Sequence, residues 1–324
     1  MDRFIPIDRC ASAPGRKIAI IGVGHVGASI AYALTLRSIA AEIVLINRNR
    51  ERARGEAMDI RHGIPFMGTS SVRVGDYEDC SDSGLIIITA GRNRRPGETR
   101  INLIADNAAV MDSVLSQIEP YYNGAPILIV TNPVDVMVAY CDRRLGGARG
   151  AVFGTGCILD SSRFVRQVAD YVGLSTGVVN GCVVGEHGDS QIPIWSRLTV
   201  GGIPAEEYCA GMELPWGEEQ KRRIAEEVKT MGAQIIAAKG MTHYGIATCV
   251  GLLADAVINR RPTIASVSSP LAGEYGIEGV ALSVPSIVSA GGVERRIEEK
   301  WSADEMERFY RSAEALRKAL QSLA

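Results

Sequence analysis

A strand-like run at residues 17–21, Lys-Ile-Ala-Ile-Ile, passes directly into Gly22-Val23-Gly24-His25-Val26-Gly27, and a helical pattern follows. That junction dictates much of what the chain can become. Glycines allow the tight turn, let the backbone approach a pyrophosphate, and leave the first amides of the helix to hold the anion. A G-x-G-x-x-G alone also suits a tight turn in any α/β protein. Its place between strand and helix, at the head of a series, favours a dinucleotide site using Gly22, Gly24, Val26 and Gly27.

The series continues. Apolar, β-rich runs at 17–22, 42–47, 71–74, 84–90 and 126–131 alternate with helical patterns at 26–36, 50–61, 101–118 and 134–145. This spacing predicts right-handed βαβ units and a parallel sheet. Uninterrupted runs such as Leu-Ile-Ile-Ile-Thr suit strands buried on both faces. Beyond residue 150 the character changes. Helices are expected at 160–172, 217–239 and 242–259, and strands at 177–184, 263–267 and 280–284. The tail offers a capping box, Ser302 with Glu305, and a stripe of Met306, Phe309, Tyr310, Ala313, Leu316 and Leu320. The expected fold class is α/β: a doubly wound parallel sheet of Rossmann type over residues 1–153, then an α+β substrate domain over 154–324. A length of 324 residues fits about two domains.

Composition removes other classes. The 35 basic and 37 acidic residues nearly cancel, without the basic excess of a nucleic-acid binder. Seven cysteines, an odd number with no C-x-x-C pair, argue against a disulfide framework or a zinc site. No apolar run approaches the roughly 20 residues that cross a bilayer. The N-terminal stretch lacks the apolar core of a signal peptide. No metal, nucleic acid or membrane is expected, and a reduced, cytoplasmic setting is.

An acidic residue at the end of the second strand, about 20 residues past the glycines, would bind the adenosine ribose. The chain has Asn47 there, followed by Arg48. Losing the carboxylate removes repulsion against a 2′-phosphate, and a guanidinium could pair with it. NAD(H) and NADP(H) both stay open.

Three segments carry chemistry. Residues 91–100 hold four arginines around a Pro-Gly centre and follow a buried strand, which suits an anion site as well as a charged surface loop. Asp160 and Arg163 share one face at a helix start, where an aspartate is also an ordinary cap. His187 stands between Gly185 and Gly188, the most site-like setting of the four histidines.

Together GVGHVG, EAMDIRHG, PGETR, TNPVD, LDSSRF, GEHGDSQIPIWS and KGMTHYGIA resemble the L-lactate/malate dehydrogenase family, in its order and spacing, from about Lys17 to the C-terminus. The resemblance implies an NAD(P)-dependent oxidoreductase of a small 2-hydroxy acid and a homodimer or homotetramer. It implies that His187 exchanges a proton with the keto oxygen while Asp160 holds the other ring nitrogen. Arg163 would grip the 1-carboxylate as a planar fork. Arg100 would polarise the carbonyl from a closing loop, and Asn132 would hydrogen-bond near the substrate oxygen and the nicotinamide. Specificity in the family turns largely on the residue six before that loop arginine, here Arg94. Malate-type members carry arginine there and lactate-type members glutamine. A second carboxylate needs a cation in a closing pocket, whereas pyruvate would leave a guanidinium unpaired. The expected pair is therefore oxaloacetate and malate. The alternative is lactate or another anionic 2-keto acid, toward which Thr242 and the Pro-Gly-Glu-Thr run at 96–99 lean. Val165 replaces the basic residue of bisphosphate-activated members, so no such activation is expected. A dinucleotide-binding protein without turnover would be expected to lack this set of residues.

Overall fold

The computed structural model describes residues 16–92, 100–147 and 150–323, with backbone alone at 100 and 101. Six strands of the first half are β1 (Lys17–Ile21), β2 (Glu42–Ile46), β3 (Ser71–Val74), β4 (Leu85–Ile88), β5 (Ile127–Ile129) and β6 (Val152–Gly154). They lie in the order β3-β2-β1-β4-β5-β6, with every neighbouring pair parallel. The order reverses between β1 and β4, and sheets of this topology take ligands at the carboxyl ends of the strands beside such a reversal.

Helices α1 (His25–Leu36), α2 (Arg50–Met67), α3 (Arg100–Ile118) and α4 (Val134–Arg144) connect these strands. The second half adds α5 (Ile158–Val172), α6 (Ala205–Gly211), α7 (Glu218–Lys239), α8 (Tyr244–Ile258) and α9 (Ala303–Gln321). Alternate residues of β1 enter opposite layers. Ile18 and Ile20 pack with α1, α2 and α8, whereas Ala19 and Ile21 pack with α3, α4 and α9. This two-sided burial is why the runs are apolar throughout. Each fully buried isoleucine contributes roughly 1.5–3 kcal/mol.

Short strands β7 (Val179–Asn180), β8 (Val183–Val184), β9 (Ile192–Pro193), β10 (Thr199–Val200) and β11 (Ile203–Pro204) form two small sheets. A smaller core gathers there around Phe164, Val168 and Val228. Three long strands, β12 (Thr263–Ala272), β13 (Glu278–Ser289) and β14 (Gly292–Arg296), extend the main sheet. β12 pairs antiparallel with β6, so nine described strands make one sheet through both halves.

The structure departs from the sequence expectations in several places. The strand expected at 177–184 is a helical turn and two short strands. Gly181 separates them where a Cβ would stand 2.8 Å from Leu198 and 2.9 Å from Phe164. The strands expected at 263–267 and 280–284 are ten and twelve residues long. Serines continue these strands beyond the expected bounds, and hydroxyls find partners within the fold: Ser266 donates to the Val183 carbonyl and Ser286 to that of Val284. Helix α2 continues past residue 61 to Met67, through Pro65. Tyr310 is half exposed, one step round α9 from buried Phe309. Strands β6, β9, β10 and β11 and helix α6 were not expected, being too short to carry a period; β14 was not expected either, with three charged residues among its five.

Candidate active site

The cofactor end is built by the turn after β1. Gly22 has φ +97°, and a Cβ there would lie 2.5 Å from the Ala90 amide nitrogen. At Gly27 it would lie 2.0 Å from the Gly22 carbonyl oxygen, so α1 presses directly on the turn. Gly24 is the N-cap of α1, and no side chain caps the helix. A Cβ on Gly24 would meet open space within 4 Å, leaving the first-turn amides approachable. This cradle fits a dinucleotide's pyrophosphate. Val26 is half-buried beside the α1 core. Asn47, just beyond β2, accepts from the Val23 amide at 3.1 Å and donates to the Asn49 carbonyl at 2.9 Å. It thus ties the second strand to the glycine turn. Arg48 is exposed next to it.

The reacting end lies beyond β5 and β6. Asp160, in the first turn of α5, is 2% exposed. Its Oδ2 lies 2.5 Å from His187 Nδ1, and its Oδ1 accepts from Arg163 Nη1 at 3.0 Å. One carboxylate therefore holds both an imidazole from a loop and a guanidinium from its own helix. Arg163 is 11% exposed and His187 26%, so both reach open space. With Nδ1 engaged, Nε2 is the ring atom left to exchange a proton. Burial alone would push the Asp160 carboxyl up, but His187 and Arg163 hold it below its ordinary value. Burial alone would push the His187 imidazole down, but Asp160 and, behind it, Asp135 hold it above the ordinary 6.5.

The His187 loop is fastened on several sides. Gly185 exchanges backbone hydrogen bonds with Ser283 of β13, at 2.9 and 3.0 Å. The Glu186 amide donates to Ser312 of α9 at 2.9 Å, and the His187 amide to Asp135 at 2.7 Å. Gly188 has φ +151°, backbone that favours glycine.

Asn132 is exposed just past β5, and its carbonyl accepts from Asn107 Nδ2 at 2.7 Å. Asn107 also accepts from the Arg92 amide at 2.9 Å. Fully buried on α3, it ties the start of the arginine-rich segment to the end of β5. Thr242 is half-buried between α7 and α8. That connection is held to α1 by Ser29 Oγ and His243 Nδ1, 2.8 Å apart, and Gly245 beyond it faces Leu159. Thr242 therefore lies between the glycine-turn helix and the start of α5. Arg94 lies outside the described residues. Arg100 opens α3, and its side chain is likewise outside the description. Asn107, Asp135, Ser283 and Ser312 were missed as site residues. Nothing local separates a buried asparagine or serine from a surface one, although Asp135 stands inside the TNPVD motif.

A glycine turn and a carboxylate–imidazole–guanidinium cluster at the carboxyl ends of one doubly wound sheet define a dinucleotide-dependent oxidoreductase. Comparison with known proteins narrows the class. The family profile described as lactate/malate dehydrogenase, NAD binding domain, matches residues 16–154, and that described as lactate/malate dehydrogenase, alpha/beta C-terminal domain, matches 157–324. L-lactate dehydrogenase of Acetivibrio thermocellus is 37% identical over 310 residues, 95% of this chain and 97% of that protein. L-lactate dehydrogenase of Thermoanaerobacter sp. (strain X514) is 39% identical over 307 residues, covering 95% and 99%. The ligand-bound crystal structure of minor L-lactate dehydrogenase from Enterococcus mundtii superimposes with a TM-score of 0.92 at 35% identity, covering 96% of this chain and 99% of that one. The chain belongs to the lactate/malate dehydrogenase family, NAD-dependent oxidoreductases acting on a 2-hydroxy acid.

Proposed function

We propose that the chain interconverts a small L-2-hydroxy acid and its 2-keto acid, with lactate and pyruvate as the leading pair. The observation that carries the chemistry is Asp160 bonded at once to His187 and Arg163. Support for lactate comes from the relatives above, all named L-lactate dehydrogenases and matched over nearly their whole length. None of them favours the malate expectation, which rests on Arg94. That arginine still supports a second reading, a substrate with another anionic group such as oxaloacetate.

In this reading Arg163 binds the substrate carboxylate as a planar fork. His187, protonated, donates from Nε2 to the keto oxygen during reduction and takes the proton back during oxidation. Asp160 holds the ring and stabilises the imidazolium. Asn132 hydrogen-bonds close to the reacting oxygen, Thr242 trims the pocket, and Arg100 polarises the carbonyl. The nicotinamide cofactor supplies or accepts the hydride when bound. The glycine turn and the α1 amides hold its pyrophosphate, with Asn47 and Arg48 towards the adenosine ribose. That pair admits NADPH beside NADH, because Asn47 brings no negative charge. In this reading the cofactor half spans residues 1–153 and the substrate half 154–324. A homodimer or homotetramer in the cytoplasm completes the reading.

Steady-state reduction of pyruvate and oxaloacetate, each with NADH and NADPH, tests it. Pyruvate should be preferred, and Arg94→Gln should strengthen that preference. A large oxaloacetate preference that Arg94→Gln abolishes would replace the lactate reading with the diacid one. Absence of turnover with any 2-keto acid would sink both.

A further inference from the structure

At the N-cap of a helix a side chain ordinarily accepts from the first-turn amides. His243 holds that position on α8, and its ring caps nothing. Both ring nitrogens are engaged elsewhere. Nδ1 lies 2.8 Å from Ser29 Oγ on α1, and Nε2 lies 3.3 Å from Lys239 Nζ in the last turn of α7. An ammonium has only hydrogens to offer, so Nε2 must accept from it. The ring hydrogen is then on Nδ1, donated to Ser29, and the imidazole is neutral. Lys239 also packs over the Tyr244 ring, with Nζ 4.1 Å from its centroid. Residues 240–243 are the whole connection between α7 and α8, and Thr242 stands directly before His243.

We propose that His243 is a positioning residue for the substrate pocket: as a neutral ring it ties the end of α7 to the glycine-turn helix α1 and so fixes the connection that carries Thr242. The inference rests on the reading that Thr242 lines that pocket. A second proton on the ring would turn Nε2 from acceptor to donor and set it against a donor-only ammonium. The Lys239 contact would then break while the Ser29 contact survives. The charged and titratable groups around the ring come from four helices. They are His25 on α1, with ring centroids 6.1 Å apart, Glu56 and Asp59 on α2, Lys239 on α7, and Tyr244 on α8, with ring centroids 4.0 Å apart. Among the described residues neither carboxylate bonds the ring. Burial, Lys239 and His25 all push the imidazole below its ordinary 6.5, so the neutral ring prevails at neutral pH.

Keto-acid KM, measured against pH with the better of pyruvate and oxaloacetate, reads the Lys239 contact. In the wild type it should rise by roughly 3- to 10-fold, the ordinary worth of one hydrogen bond, with kcat on its plateau. The rise should come as pH falls through a midpoint below 6.5. His243→Asn keeps a donor for Ser29 and loses both the Lys239 contact and the titration. Its KM should already be raised at neutral pH and stay flat in acid, with NADH affinity, read by fluorescence titration, within about twofold of wild type. Lys239→Met, at an exposed position, should behave alike. The double variant should be no worse than either single one, because all three remove the same contact. A brace for the fold alone predicts lower melting temperatures, a KM that neither variant moves and no acid rise in the wild type; that result would overturn the proposal. Should His243→Asn fail to fold, Lys239→Met carries the test by itself, and a KM that is not raised at neutral pH and still climbs in acid would overturn it. Thr242→Ala separates the inference from its footing. An unchanged keto-acid KM there would remove Thr242 from the pocket, and the inference with it. A changed KM beside a wild type that is flat in acid would overturn this inference alone.

Discussion

The imidazole of His187 is pulled two ways. Burial disfavours its charge, while the Asp160 carboxylate at 2.5 Å favours it, and the carboxylate wins. The consequence has a definite sign. With His187 as the proposed proton carrier, keto reduction should run best below the raised midpoint and fall above it, and oxidation, which would need the neutral ring, should rise over the same interval; pH profiles of both directions check this. Replacing the ring tests the assignment directly. His187→Asn should lower turnover by roughly 100- to 10,000-fold and leave NADH affinity within about twofold, since the glycine turn is untouched. Steady-state rates and a fluorescence titration check both, and turnover near wild type would remove His187 from the chemistry. Legibility at this scale was uneven. Asp160 and Arg163 stand three apart at a helix start, a spacing that places them on one face before any coordinates exist. Asn107 and Asp135 carry no such mark. Their importance comes from burial and from partners 15–52 residues away, which a single chain of letters does not display.

Among elements, α9 shows how one side chain can serve two ranges. Glu305 caps its own helix by accepting from the Ser302 amide at 2.8 Å. It also accepts from the amides of Trp195 at 2.8 Å and Ser196 at 3.0 Å, and from the Ser196 hydroxyl. The capping box was visible as Ser302 and Glu305 three apart; the bond to residues 195 and 196 was not, because it spans 110 positions. Burial pushes the Glu305 carboxyl up, but these donors hold it below its ordinary 4.5. Its stabilising contribution is therefore complete above that value and is lost as pH falls through the depressed one. Glu305→Ala strands several donors and should cost roughly 2–4 kcal/mol in urea unfolding at neutral pH. The deficit should shrink in acid. A loss below about 0.5 kcal/mol would show that water replaces the carboxylate. The β12–β13 hairpin makes the complementary point. Its serine-rich strands hid their length because strand propensity depends on packing and hydroxyl partners, not on residue type alone.

Across the whole molecule, the two halves share both large apolar cores, and Gly156 marks a close point of that join. Gly156 sits there with φ +50°, and a Cβ would stand 2.2 Å from Ser283 Oγ and 2.5 Å from the Ser268 amide nitrogen. Ser283 also accepts from the Cys157 amide at 3.0 Å, just ahead of α5. Gly156→Ala should therefore lower stability by about 2 kcal/mol or more and reduce turnover as well. Thermal melts and kcat measured on one preparation check this. A destabilised variant with full turnover would mean that the seam supports the fold without aligning the chemistry. The parallel array was legible from its apolar runs, whereas its continuation into β12–β14 was not. Strand order is fixed by which edges meet in space, and β6 is too short to advertise itself.

Hydrogen bonding straight through from β6 to β12 also bears on how such enzymes can be recombined. The substrate half does not behave as a cassette. A chimera that grafts another relative's second half onto this first half must rebuild the edge at Gly154 and Ser268, the glycine at 156 and the carboxylate on α4 under the histidine. Crossovers that keep both sides of this seam from one parent should yield active hybrids, and cuts through it should yield two well-made halves that never line up a proton with its acceptor.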